Sequence, residues 1–179
     1  MILNEFNLKD YIGMWQDFPK KGVLFRDINP AMRNNQLFSY LSNRIFEEVK
    51  ELEVDNVVAI ESRGFIIGTM LAMKLNKGLI MIRKSGKLPG PIISKTYSVE
   101  YGEATMEIQQ DAIAPGQKIL IADDLVATGG TSLAAAELVE ILGAKVSMFV
   151  FVISLEKLNG SNLLRENGYK VYSLLEYSD

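Results

Sequence analysis

The sequence predicts an α/β protein with a mostly parallel central sheet flanked by helices. Short β-prone runs, NVVAI, LIMIR and KILIA, alternate with longer segments of helical pattern. Those runs are apolar on successive residues, the mark of strands covered on both faces. The chain has 179 residues, 48% hydrophobic and 23% charged, an ordinary globular composition that suits one domain, 1–179, with a core of its own.

Taken in order, residues 1–35 form a lead with little clear periodicity. In QLFSYLSNRIFEEVKEL, residues 36–52, Leu37, Leu41, Ile45, Val49 and Leu52 recur at helical spacing and predict an amphipathic helix. GFIIGTMLAMKLN and TSLAAAELVEILG predict two more, the second closed by Gly143, which suits the left-handed position past a helix end. KVSMFVFVIS and YKVYSLLE supply the last two strands. TYSVEYGEATMEIQ, Thr96 to Gln109, carries a turn-like Tyr-Gly-Glu between two β-prone arms and reads as a hairpin inserted between core strands.

Composition narrows the chemistry. With no Cys and no His, disulfides, thiolate metal sites and imidazole catalysis are excluded, so proton transfer falls to carboxylates, Lys or Tyr. A net charge of -3 argues against duplex nucleic acid as a partner. The first residues lack a basic segment leading into an apolar core, and Val146 to Leu155, the longest apolar run, is far shorter than the roughly 20 residues that cross a bilayer. A soluble, cytoplasmic protein without a membrane partner is the expectation.

In parallel sheets ligands gather where strand ends feed helices. The loops there are ESRG after VVAI, RKSGKLPG after LIMIR and DDLVATGGT after KILIA. Arg83, Lys84 and Lys87 make the second loop cationic enough to hold a polyanion. In the third, Gly129 and Gly130 let backbone amides approach a ligand, while Thr128 and Thr131 add hydroxyls at the start of a helix whose dipole favours an anion. Neither G-x-x-x-x-G-K-[ST] nor G-x-G-x-x-G occurs. Asp123 and Asp124 would repel a bare triphosphate but can accept hydrogen bonds from a ribose diol. A ribose 5′-phosphate satisfies both halves of the loop.

A hydrophobic strand, two acids and Thr-Gly-Gly-Thr, here IADDLVATGGT, resemble the signature of the phosphoribosyltransferases. FPKKGVLFRDINP, ESRGFIIG, IRKSGKLPGP and YSVEYGEATMEIQ extend the resemblance, in order, to the adenine phosphoribosyltransferases of the type I fold. The resemblance implies transfer of ribose 5-phosphate from phosphoribosyl pyrophosphate to adenine, giving AMP and pyrophosphate. Mg²⁺ would be held mainly by substrate oxygens, with no metal-ligating protein residue, and the chain would be a homodimer.

It also implies roles. Ala127 joins Asp123, Asp124, Thr128, Gly129, Gly130 and Thr131 around the ribose phosphate, with Tyr101 covering the ribose. Ser62, Arg63, Gly64, Arg83, Lys84 and Lys87 take pyrophosphate, and a cis peptide is expected at Glu61-Ser62. The resemblance leads us to expect Asp before Ser62, and the extra methylene of Glu61 would move the carboxylate that orders that loop. Glu100 becomes the general acid or base at the purine N7; without the resemblance, Glu103 and Glu107 are equal candidates. Phe25 would stack on adenine, with the backbone of Val23 and Arg26 reading its edge and Leu155 on the other face, although a packing role for Phe25 remains open. Residues 1–35 would then be a hood and 94–109 a flexible catalytic flap. Transfer to another base, and a non-catalytic sensor of the activated ribose, are the alternatives.

Overall fold

The computed structural model describes residues 7–99 and 102–178. A 3-10 turn at Leu8–Tyr11 leads into β1 (Gly13–Gln16), β2 (Leu24–Asp27), α1 (Asn29–Arg33) and α2 (Asn35–Val49). Then come β3 (Asn56–Ile60), α3 (Gly64–Leu75), β4 (Gly78–Lys84) and the hairpin of β5 (Ile92–Val99) with β6 (Gly102–Gln109). The chain continues through β7 (Lys118–Val126), α4 (Gly130–Ile141), β8 (Lys145–Leu155), a 3-10 turn at Glu156–Leu158, α5 (Gly160–Glu166) and β9 (Val171–Tyr177).

Seven strands form one sheet in the order β5-β6-β4-β3-β7-β8-β9. Every pairing from β4 to β9 is parallel. The hairpin is antiparallel and joins the sheet where Arg83 and Lys84 lie opposite Glu107 and Met106. The expected α/β architecture is therefore present, and among the described residues no helix is long and apolar enough to cross a membrane.

Strand alternation divides the apolar residues between two cores. Val57, Leu120, Ala122, Val150 and Val152 face one side, against Leu37, Leu41, Ile45 and Val49 of α2 and Ile67 and Leu71 of α3. Val58, Ile119, Ile121, Phe149 and Phe151 face the other, against Ala135, Ala136, Leu138 and Val139 of α4. That is why these strands read as continuous apolar runs. Each fully buried Leu, Ile or Phe contributes about 1.5–3 kcal/mol.

The structure departs from the sequence expectations in three places. The α2 helix stops at Val49, three residues before Leu52; its start is fixed by the Asn34 side chain, which accepts from the Gln36 and Leu37 amides at 3.0 and 3.2 Å. Strand β7 runs through both aspartates to Val126 because β8 continues beside it, pairing Asp123 with Phe151 and Val126 with Ser154. The lead contains a small two-stranded sheet, Gly13 to Gln16 against Leu24 to Asp27, separate from the main one, and four-residue strands are too short to show a period.

Close packing of α3 on β3 depends on Gly68, where an added Cβ would lie 2.4 Å from the Ala59 Cβ. Gly68→Val is expected to destabilise the fold by about 1–3 kcal/mol through overpacking, measured by chemical denaturation. Wild-type stability in that variant would mean that α3 is free to move off the sheet.

Candidate active site

Three strand ends bring the predicted loops together. After β3 the Glu61–Ser62 peptide is cis, as the resemblance implied, and Ser62 is exposed. Gly64 opens α3 directly against β7. A Cβ there would lie 2.5 Å from Asp123 Oδ1 and 3.1 Å from the Ala122 carbonyl oxygen, so no larger residue fits without displacing the helix. That close approach carries Arg63 onto the acid pair: its Nε donates to Asp124 Oδ2 at 2.5 Å. Its guanidinium carbon also stands 4.9 Å from the centre of the Phe25 ring.

Both acids are buried, with Asp123 8% and Asp124 6% exposed. The Asp124 amide donates to Asp123 Oδ1 at 2.8 Å. Burial pushes the Asp123 carboxyl well above its ordinary range, reinforced by the charge of Asp124 and opposed by the Asp124 N–H and by Arg63. A carboxylate held this way is short of donors, which a vicinal diol supplies.

Gly129 (φ +86°) caps α4 from the left-handed region, which a glycine adopts without steric cost. The first-turn amides, Gly130 to Ser132, have no carbonyl to donate to within their helix, and the backbone bonds of the described residues give them none elsewhere. Together with the exposed Thr128 they leave hydrogen-bond donors open at the start of α4, the arrangement an anion would need. Gly160, at the start of α5, supports it from behind: its N–H donates to the Ala127 carbonyl at 2.9 Å. A Cβ on Gly160 would meet the Ala127 oxygen at 2.3 Å and the Gly129 nitrogen at 2.6 Å.

Two buried carboxylates brace the basic loop from opposite sides. Glu61 accepts from Lys87 Nζ at 2.7 Å, from the Lys84 amide at 3.1 Å and from Arg83 Nε at 3.2 Å. Glu107 accepts from the Ser85 hydroxyl at 2.6 Å and the Gly86 amide at 2.9 Å. Glu107 therefore has a loop-building role, which removes one of the open candidates for proton transfer. Burial alone would raise the Glu61 carboxyl, but the bonds from Lys87, Lys84 N–H and Arg83 outweigh it and bring the pKa to about 2.

Two clefts open over these elements. One, of about 400 Å³, is lined by Lys84, Asp123, Thr128, Gly129 and Thr131 together with Tyr97 of β5. The other, of about 640 Å³, lies between Val23, Phe25, Arg26 and Arg63 on one side and Leu155, Lys157 and Leu158 on the other. They share Leu125 and Ala127, so a single ligand can run from one into the other. Phe25 is half-buried, with Phe18 edge-on at 5.1 Å, and it faces the cleft; the Arg26 side chain turns away, buried with its guanidinium carbon 4.1 Å from the Tyr177 ring centre.

The expected residues thus fall into three groups. Asp123, Asp124, Ala127, Thr128, Gly129, Gly130 and Thr131 meet at the end of β7; Arg83, Lys84 and Lys87 meet on Glu61; Val23, Phe25 and Leu155 line the apolar cleft. Arg63 joins the acid pair and the apolar cleft rather than the other cations. Glu100 and Tyr101 lie outside the described residues. Sequence reasoning missed Tyr97, Leu125 and Gly160. The glycine beside Asn159 at a strand-to-helix junction was a visible signal; Tyr97 and Leu125 looked like ordinary strand residues. Among the described residues no group of three or more acids is placed to hold a metal ion.

A carboxylate whose pKa is lower in the folded state stabilises the fold above its unfolded value, 4.5, and that contribution fades as pH falls through about 2. Glu61→Gln is therefore expected to cost on the order of 3 kcal/mol at neutral pH, a difference that narrows below pH 4.5; a pH-independent difference in denaturant titrations would contradict this. Asp123 has the opposite sign, losing stability for the fold as pH rises above 3.8. Asp123→Asn is expected to melt at a higher temperature than wild type at neutral pH, with the gain vanishing in acid, while affinity for a ribose-bearing ligand falls about tenfold or more.

Comparison with known proteins completes the picture. Residues 30–175 match the phosphoribosyl transferase domain family. The chain is 46% identical over 171 residues to the adenine phosphoribosyltransferase of Pelagibacter ubique, spanning 96% of this chain and 98% of the relative. It is 48% identical over 171 residues to that of Carboxydothermus hydrogenoformans, spanning 96% and 99%. Its fold superposes on the adenine phosphoribosyltransferase of Thermoanaerobacter pseudethanolicus with a TM-score of 0.91 at 39% identity, over 95% of this chain and 98% of that one. The Saccharomyces cerevisiae enzyme, crystallised with an imino-altritol bisphosphate and adenine, gives 0.86 at 41% identity over 94% and 96%. Agreement over nearly the whole length in sequence, strand architecture and the Asp-Asp…Thr-Gly-Gly-Thr cradle makes this chain a member of the adenine phosphoribosyltransferase family.

Proposed function

We propose that the protein transfers ribose 5-phosphate from phosphoribosyl pyrophosphate to adenine, releasing pyrophosphate and forming AMP. The observation that carries this reading is the pair of joined clefts, one lined by the Thr128–Thr131 turn and the Asp123 carboxyl, the other by an aromatic ring and aliphatic side chains. The adenine bound by the yeast relative supports adenine as the base.

In this reading the amides of Gly129 to Thr131 hold the 5′-phosphate and the Asp123–Asp124 pair accepts from the ribose 2′- and 3′-hydroxyls. The base lies beside Phe25, opposite Leu155, with the backbone of Val23 and Arg26 along its edge. The bond from the anomeric carbon to pyrophosphate then breaks with oxocarbenium character. Negative charge grows on the departing oxygen, and Arg83, Lys84 and Lys87, with the Ser62-Arg63-Gly64 loop, stabilise it there. Glu61 occupies only part of that capacity: Arg has five N–H donors and Lys three, so Arg83 and Lys87 keep donors for pyrophosphate while Glu61 holds them in place.

Glu100 hydrogen-bonds N7 of the base and carries the proton that the purine exchanges as the new bond forms, and Tyr101 shields the ribose from water. The site offers oxygen ligands, but Asp124 is engaged by Arg63, so Mg²⁺ would be held mainly through substrate oxygens and water and, when bound, would supply charge neutralisation on the diphosphate. The reading further includes a cytoplasmic location, the 1–35 hood, the 94–109 flap and a homodimer. A second copy would cover the apolar depression of Phe38, Phe65, Ile66, Met70 and Met73, where Met73 stands 78% exposed.

Pyrophosphate release from the activated ribose is expected with adenine and not with hypoxanthine, guanine, orotate or uracil. In Glu100→Gln, turnover should fall at least about a hundredfold while binding of phosphoribosyl pyrophosphate is retained. Wild-type turnover in the variant would remove Glu100 from its role, and turnover on another base would reassign the substrate.

A further inference from the structure

The phosphate cradle is contacted from within the protein by the hairpin. On β5, Lys95 and Tyr97 share a face, being two apart along a strand, and both reach α4. Lys95 Nζ pairs with Glu137 Oε2 at 2.5 Å, and the Tyr97 hydroxyl lies 2.9 Å from Thr131 Oγ1. The hairpin packs closely over the start of α4: a Cβ on Gly130 would stand in ordinary van der Waals contact, 3.5 Å from the Tyr97 ring and 3.4 Å from the Ser98 carbonyl oxygen.

The hydroxyl chemistry sets the direction of that bond. A Thr hydroxyl has one proton to give and two lone pairs to accept with. A phosphate monoester offers acceptors, so the Thr131 hydroxyl can bind it only by donating its one proton. Thr131 is then left as an acceptor toward Tyr97, whose phenolic O–H is a stronger donor than an aliphatic hydroxyl. We infer that Tyr97 is a positioning residue for the 5′-phosphate: it donates to Thr131 Oγ1 and thereby aims the Thr131 proton into the cradle. Because Tyr97 lies three residues before Glu100 on the same arm, the bond also ties the arm that leads to the proposed acid to the occupant of the cradle.

This inference rests on the reading of Gly129 to Thr131 as the phosphate site, and the test separates the two. AMP, adenosine and adenine affinities are measured by calorimetry for wild type, Tyr97→Phe, Thr131→Val and the double variant. Tyr97→Phe keeps the ring and its packing, and folding is checked by thermal melting. AMP affinity should fall about five- to tenfold in Tyr97→Phe, with adenosine and adenine unchanged. Thr131→Val should lose more, and the double variant no more than Thr131→Val alone, because Tyr97 acts only through that hydroxyl. Full AMP affinity in Tyr97→Phe alongside a loss in Thr131→Val, or losses that multiply in the double variant, would overturn the role of Tyr97. Unchanged AMP affinity in Thr131→Val would overturn the inference while leaving the amide cradle standing, whereas a wild-type protein that binds AMP no more tightly than adenosine would remove the phosphate site itself.

Discussion

Two carboxylates side by side at the end of a central strand repel each other and resist burial, and the site is organised around the cation that offsets this, Arg63 on Asp124 at 2.5 Å. That contact exists because Gly64 lets α3 begin against β7 without a Cβ in the way. The same arginine stands 4.9 Å from the centre of the Phe25 ring, so the group that holds the acids in place also forms part of the wall of the apolar cleft. Removing it would leave buried charge uncompensated and open the boundary between the two clefts.

Compensation is incomplete, and the proposed ribose contact depends on the shortfall. Asp123 remains a carboxyl whose ionised form is disfavoured by burial and by its neighbour, which makes it a ready acceptor for hydroxyl donors. The basic loop shows the converse arrangement. Arg83, Lys84 and Lys87 would repel one another in a loop of their own, but Glu61 and Glu107 are buried beneath it and hold side chains and backbone alike. One cluster awaits donors and the other retains unused donors, and Asp123 of the first and Lys84 of the second line the same cleft.

Much of this was legible in the sequence. The parallel sheet announced itself through runs such as NVVAI and KILIA, because a strand buried on both faces has no polar alternation to disguise it. The turn of open amides after β7 was legible because two acids followed by Thr-Gly-Gly-Thr combine demands that packing alone does not make. Other features were hidden for physical reasons. Asp123 and Asp124 lie inside β7 because the ladder with β8 extends the strand past its apolar stretch, and pairing partners are not written locally. Glu107 was indistinguishable from Glu100 and Glu103 until the register Arg83 opposite Glu107 placed it under the basic loop. The contact of Tyr97 with Thr131 spans 34 residues, and the support from Gly160 comes from an α5 that is seven residues long, too short to show a period.

The account depends most on the claim that one nucleotide bridges both clefts across Leu125 and Ala127. A crystal structure with AMP tests it directly. The phosphate is predicted at the first turn of α4 within hydrogen-bond reach of Gly130 and Thr131, the ribose hydroxyls on Asp123 and Asp124, and the purine between Phe25 and Leu155. A nucleotide bound elsewhere, or bound with its phosphate on Arg83 and Lys87 and its base away from Phe25, would contradict it.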